Sequence, residues 1–308
     1  GNPTLTVRNL GAMPDVATHE LDLPRLGVYQ SWTSTQNAGW VRYSLDQAKI
    51  PYTFFSKDRA REGDLLDDFD VILVPHMGGG TSLGSIIGGI DPKWSPLPYT
   101  TTAETPSHGH ILSSEDITGG LGFQGMAAFE GFVREGGTLV TLGSAGVIAS
   151  DSGILRGINK IGDGMNTPGS LMTTKVTDIS SPLVYGYDEI THVFRGNSPI
   201  FSVPDYDREY SPLQFGVKPY DDEAEDETVD SQDKSEEGED EDSSPDPPLV
   251  LSGGIVQGAD VIDGKPAIVS KSLDEGHIVL FSWNPMHRHV NHHDHAFVYN
   301  AILNWNDL

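Results

Sequence analysis

The chain has 308 residues, 37% of them hydrophobic, with 45 acidic against 19 basic side chains and no cysteine. A formal net charge of −26 argues strongly against nucleic acid and anionic membrane surfaces as partners, since both demand a basic face. Without cysteine there is no disulfide, thiolate zinc site or cysteine nucleophile, and no apolar run approaches the roughly 18 residues of a membrane span.

Residues 1–24 read as an irregular N-terminal segment, with Thr4 to Val7 as a candidate edge strand. The opening Gly-Asn-Pro-Thr is neither a signal peptide nor a Met start, so the chain reads as a piece of something longer. One α/β domain is expected over 25–308, with insertions at 77–118 and 151–270. Leu26 to Tyr29 forms a buried first strand ending in Gln30-Ser31-Trp32. Trp40, Val41, Leu45 and Ala48 then mark one helical face. Ile50 to Phe55 reads as a second strand, a short helix surrounds Ala60 to Leu66, and Asp70 to His76 is a β-branched run of the kind covered on both faces. From Met77 to Thr118 glycine, proline, serine and threonine dominate, and a loop of this length inside a compact domain tends to be functional or to pack on a neighbour.

The most informative stretch follows. Met126, Phe129, Phe132 and Val133 carry helical spacing over 122–134, Gly136-Gly137 stops that helix, and Thr138 to Leu142 is a buried strand opening into Gly143-Ser144-Ala145-Gly146. Helix, glycine stop, strand and small-residue turn is the grammar of a parallel sheet, whose strand-end turns hold the chemistry. Beyond the loop-rich 151–169, short strands are expected at 171–176, 192–194, 213–217, 249–252 and 266–270 as an antiparallel, β-rich extension. The chain closes with a strand at 277–282, the turn Trp283-Asn284-Pro285, a histidine cluster and a helix from about His295 to Trp305. Residues 221–246 hold 15 acids and one lysine, −14 in all, and read as a disordered, solvated acidic loop. Calcium is the sharper alternative there, although no EF-hand spacing is present.

Tyr29-Gln30-Ser31-Trp32-Thr33, Gly39-Trp40-Val41-Arg42, 69–75, 114–120, Thr191-His192-Val193-Phe194-Arg195-Gly196-Asn197 and Asn300-Ala301-Ile302-Leu303-Asn304-Trp305 together resemble the C-terminal region of large exported bacterial zinc carboxypeptidases of the M14 family. The match spans nearly the whole chain apart from the acidic run. It implies a flavodoxin-like, class I glutamine amidotransferase-like fold placed after a metallopeptidase domain, and an extracellular or periplasmic location. It also implies an upstream peptidase domain or another subunit as partner, with zinc in that peptidase domain.

The residues themselves withhold both activities. The M14 zinc motif needs a histidine with a glutamate three positions on, and none of the eleven histidines has one. Amidotransferases place a cysteine after a central strand and a histidine after a late one; here those turns offer Gly143 or Ser144 and Asn284. The expected work is therefore that of a non-catalytic scaffold or binding domain. An independent hydrolase using Ser144 with His76 is the alternative, set against Ser144 as a helix cap, and a self-assembling surface module is the third reading. His287, His289, His292, His293 and His295 form a candidate transition-metal cluster, with Asp294 beside them, set against a loop of paired histidines. Gln30, Trp32, His76, Ser144 and Asn284 are candidate ligand-binding residues at the carboxyl edge of the sheet. Trp32, Trp40, Trp94, Tyr99 and Trp283 are candidate platforms for peptide or sugar.

Overall fold

The computed structural model describes residues 11–12, 22–161, 165–218 and 246–308. The candidate strand at 4–7 and all of the acidic run except Asp246 lie outside the described residues. In chain order the first half comprises β1 (Leu26–Gln30), α1 (Thr35–Ala48), β2 (Thr53–Ser56), α2 (Lys57–Glu62), β3 (Val71–Val74), α3 (Leu83–Gly88), α4 (Gly122–Arg134), β4 (Thr138–Leu142) and α5 (Val147–Ser150). The second comprises β5 (Asn159–Ile161), β6 (Ser170–Val176), β7 (Ile190–Arg195), β8 (Ile200–Ser202), β9 (Leu213–Phe215), β10 (Val250–Ser252), α6 (Ala259–Ile262), β11 (Pro266–Leu273), β12 (Gly276–Phe281) and α7 (His292–Leu303).

Strands β2, β1, β3, β4 and β12 run parallel in that order, the flavodoxin-like arrangement. The β-rich extension is not a separate layer. At β12 the sheet turns antiparallel and continues through β11, β9, β6 and β10, with β7 also on β6, while β5 and β8 pair apart from it.

Two apolar layers explain why the central strands are apolar on both faces. In β3, Val71 and Leu73 face the core shared with Val41 and Leu45 of α1 and Phe297 and Ile302 of α7. Ile72 and Val74 face Met126, Phe129, Phe132 and Val133 of α4. The period of two along the strand thus feeds a helix layer on each side.

The glycine stop after α4 works by close approach. Gly136 has φ +118, and a Cβ on Gly137 would lie 2.3 Å from the Phe132 ring. The helix expected around 60–66 lies earlier: α2 begins at Lys57 and ends at Glu62, where Gly63 at φ +82 leaves helical backbone, and a 3₁₀ turn over Leu65–Asp67 follows. The insertion at 77–118 contains α3, opened by a reciprocal Ser82–Ser85 capping box. Among the described residues no helix is long and apolar enough to cross a membrane.

Candidate functional site at the carboxyl edge of the sheet

The carboxyl ends of β3 and β4 bring His76 and Ser144 into contact. The Ser144 backbone N–H donates to His76 Nδ1 at 3.1 Å, and Ser144 Oγ lies 3.3 Å from the same nitrogen. A backbone N–H can only donate, so Nδ1 is the unprotonated nitrogen and the imidazole is neutral. Burial pushes the His76 pKa down to about 4, with His287 adding to the shift. A neutral imidazole beside a hydroxyl has the elements of a general base. The hydroxyl, however, is 1% exposed and accepts the Met77 N–H at 3.0 Å. Ser144 makes no cap hydrogen bond at the following turn; it joins the loop after β4 to the loop after β3.

Gly143 is the other residue that this turn offers. Its φ is +53, and a Cβ built there would lie 2.4 Å from His76 Nδ1 and 3.0 Å from Ser198 Oγ. The imidazole occupies the volume that a nucleophilic side chain would need.

The late-strand turn differs in the same sense. Asn284 is buried and donates through Nδ2 to Asn37 Oδ1 on α1 at 3.1 Å, and its own Oδ1 is buried without a hydrogen-bond partner among the described residues. Gln30 ends β1 in a different place, lining a cavity of about 110 Å³ beneath the 77–118 insertion. Of the expected aromatic platform only Trp32 and Tyr99 meet, with ring centroids 5.2 Å apart, and Tyr99 stacks in turn on His108 at 4.4 Å. Trp40 packs on Tyr43, and Trp94 is exposed with Lys93 over its ring. Trp283 is a core residue whose Nε1–H donates to Asp294.

The five histidines are close in sequence and divided in space. Arg288 and His289 both adopt left-handed backbone, φ +51 and +54, which folds the run back on itself. His287 stacks on Phe194, and its charge is felt at His76. His293 bonds Thr191 and Asp294 and stacks on His192 at 4.1 Å. His289, His292 and His295 form a third group with ring centroids 4.4–5.2 Å apart. In that group His289 Nδ1 lies 2.9 Å from Ser44 Oγ and His292 Nε2 lies 3.1 Å from the His289 carbonyl. Among the described residues, no three His, Asp or Glu side chains form a group that could hold a metal ion. Asp294 accepts hydrogen bonds from the Phe194 N–H, Trp283 Nε1 and Asn291 Nδ2, so its role is to dock α7 on β7.

Two buried or half-buried arginines stand within the resemblance segments but carry no site role in the sequence reading. Arg195 is fully buried, bonded to Thr167 and to the Gly196 and Ser198 carbonyls, with burial lowering its pKa to about 9. It shapes the loop that presents Ser198 to Gly143. Arg42, on α1, faces the same cavity as Gln30. Its signal in the sequence was a lone cation on a helix in a strongly acidic chain.

Fold and site together describe an α/β domain with a flavodoxin-like parallel half, whose turns after β4 and β12 hold neither a cysteine nor a histidine. No protein-family profile matches the chain, and no curated protein sequence matches it. Among solved structures it is similar to a ThuA-like protein from Bacteroides uniformis, at 10% identity over 96% of this chain and 95% of that one, with a TM-score of 0.48. It is also similar to PurLQS from Thermotoga maritima, at 14% identity over 92% of this chain and 100% of that one, with a TM-score of 0.45. These likenesses concern the fold alone.

Proposed function

We propose that this chain is a non-catalytic scaffold and binding domain, the accessory part of an exported metallocarboxypeptidase of the M14 type. The observation that carries the first half is the turn after β4, where Gly143 has no side chain and the Ser144 hydroxyl is buried and accepts the Met77 N–H. The second half rests on the sequence segments that resemble M14 C-terminal regions. In this reading zinc belongs to the peptidase domain, and the present chain packs on that domain or presents substrate to it.

A second reading, a serine hydrolase using Ser144 and His76, draws on their contact at 3.3 Å. Two measurements separate the readings. Incubation of folded protein with a fluorophosphonate probe is expected to leave Ser144 unlabelled, and labelling that disappears in Ser144→Ala would overturn the non-catalytic reading. Mass photometry of this chain mixed with a separately produced M14 peptidase domain from the same parent protein is expected to show a one-to-one complex. Two unshifted masses at micromolar concentration would remove the accessory role.

A further inference from the structure

We propose that the cavity beneath the 77–118 insertion is a binding pocket for a single carboxylate group, with Arg42 as its anchor. Gln30 comes from the end of β1, Arg42 from α1 and Phe54 from β2, and Tyr99, Ser107 and His110 from the insertion close it over. Arg42 also lines an adjoining, more open cleft of about 460 Å³ with Asp46 and Tyr52.

The state of that guanidinium argues for a missing anionic partner. Its Cζ lies 4.8 Å from the centroid of the Phe54 ring, and its Nε is buried with no hydrogen-bond partner among the described residues. Asp46, one helical turn on, is the nearest acid by sequence, but the Tyr52 hydroxyl donates to it at 3.0 Å, and the guanidinium meets that same hydroxyl. Among the described residues no carboxylate forms an ion pair with Arg42; Arg61 and Arg195 also lack one, but both are bonded to backbone carbonyls. Arg42 lines a cavity with a buried donor left unbonded, which has a cost that a ligand accepting from it would remove. Trp32, packed on Tyr99, likewise holds a buried Nε1–H without a partner among the described residues.

The chemistry selects the ligand class. One planar guanidinium, with its fork of N–H donors, matches one planar monoanion. A phosphate would ask for several cations or a nest of backbone N–H groups, and the walls here supply a carboxamide, an imidazole and aromatic faces instead. Phe54 and Tyr99 favour a ligand with an apolar body next to its charge. Either a small organic acid or the free carboxyl end of a peptide meets that description. The pocket deepens the binding-domain reading by giving it a ligand class, and it needs neither Ser144 nor a peptidase partner.

The test is titration of ¹⁵N-labelled full-length chain with benzoate and, separately, with uncharged benzamide, followed at the Arg42 Nε–H and Trp32 Nε1–H resonances. Saturable shifts at both with benzoate and none with benzamide are the expected result. Arg42→Gln should weaken benzoate binding by roughly tenfold or more, the equivalent of one charge-assisted hydrogen bond. The Trp283 Nε1–H signal, fixed by Asp294 in the core, reports that the variant is folded. A dipeptide with a free C-terminus, compared with its amide, then separates a chain end from a free acid as the natural source. Equal shifts by benzoate and benzamide, or benzoate binding undiminished in folded Arg42→Gln, would overturn the proposal. Either failure would leave the fluorophosphonate result, and the non-catalytic reading with it, untouched.

Discussion

At the scale of single residues, Gly143 and His76 are one feature seen from two strands. The left-handed backbone at Gly143 lets the loop after β4 pass close beneath the imidazole, and the imidazole then fills the space a side chain would occupy. Gly143→Ala should cost about 2–4 kcal/mol, combining left-handed strain with a clash at a buried ring. Urea denaturation measures it, and an unchanged midpoint would mean that His76 can leave its place at no cost. In the double variant Gly143→Ala with His76→Ala the two losses should fall short of additive, because the second change removes the object of the clash. Ser144→Ala is a smaller change at the same place. It strands the Met77 N–H, so about 1–2 kcal/mol of stability should go. Which residue types stand at these turns is plain in the sequence. Their contact is not, since Ser144 as a helix cap and Ser144 as a tie between two loops have the same local sequence.

Elements tell a different story about legibility. The parallel half could be read because each buried strand is short, apolar and β-branched, and each following helix carries its own spacing and its own stop. The strand at 26–30, the unit over 122–142 and the strand at 276–281 stand within a residue or so of where the pattern puts them. The antiparallel half could be read only as pieces. Three-residue strands such as β9 and β10 owe their existence to partners dozens of residues away, and nothing local shows that they extend the same sheet. The histidine run misleads for a related reason. Nine residues that look like one site are split by two consecutive left-handed residues that favour no single sequence signal. Where elements meet most tightly the consequence is testable. A Cβ on Gly276, which opens β12, would lie 2.0 Å from the Val133 carbonyl oxygen and 2.5 Å from that of Gly137. Both neighbours are backbone and cannot rotate away, so the end of α4 and the start of β12 would have to separate. Gly276→Ala should therefore destabilise by about 2–4 kcal/mol. Gly131→Ala, on the same helix with nothing within 4 Å of its Cβ, should leave the thermal midpoint unchanged or higher.

For the whole molecule, the buried histidines set how stability responds to acid. His76 and His277 are both pushed by burial to a pKa of about 4, against an ordinary 6.5 in the unfolded chain. His277 sits between Ser270 and Ser272 of β11, far along the sheet from His76, so the two titrate independently. Between pH 6.5 and pH 4 the unfolded chain binds protons that the folded one refuses, and stability must fall as pH falls through that window. Each group contributes a slope of about 1.4 kcal/mol per pH unit there. Asp294 works against them at the acid end, because burial raises its pKa and the folded state takes up that proton first. The loss should thus be steepest at about pH 5, midway between the folded and unfolded values, and flatten towards pH 4. Urea midpoints measured at constant ionic strength should be level above pH 7 and then decline, and His277→Gln should remove one histidine's share of the slope. A midpoint that holds constant from pH 7 to pH 5 would mean that these imidazoles accept protons in the folded chain. The neutral His76 that closes the Gly143 turn would then be wrong, and the chain would have a titratable base at its strand-end site after all.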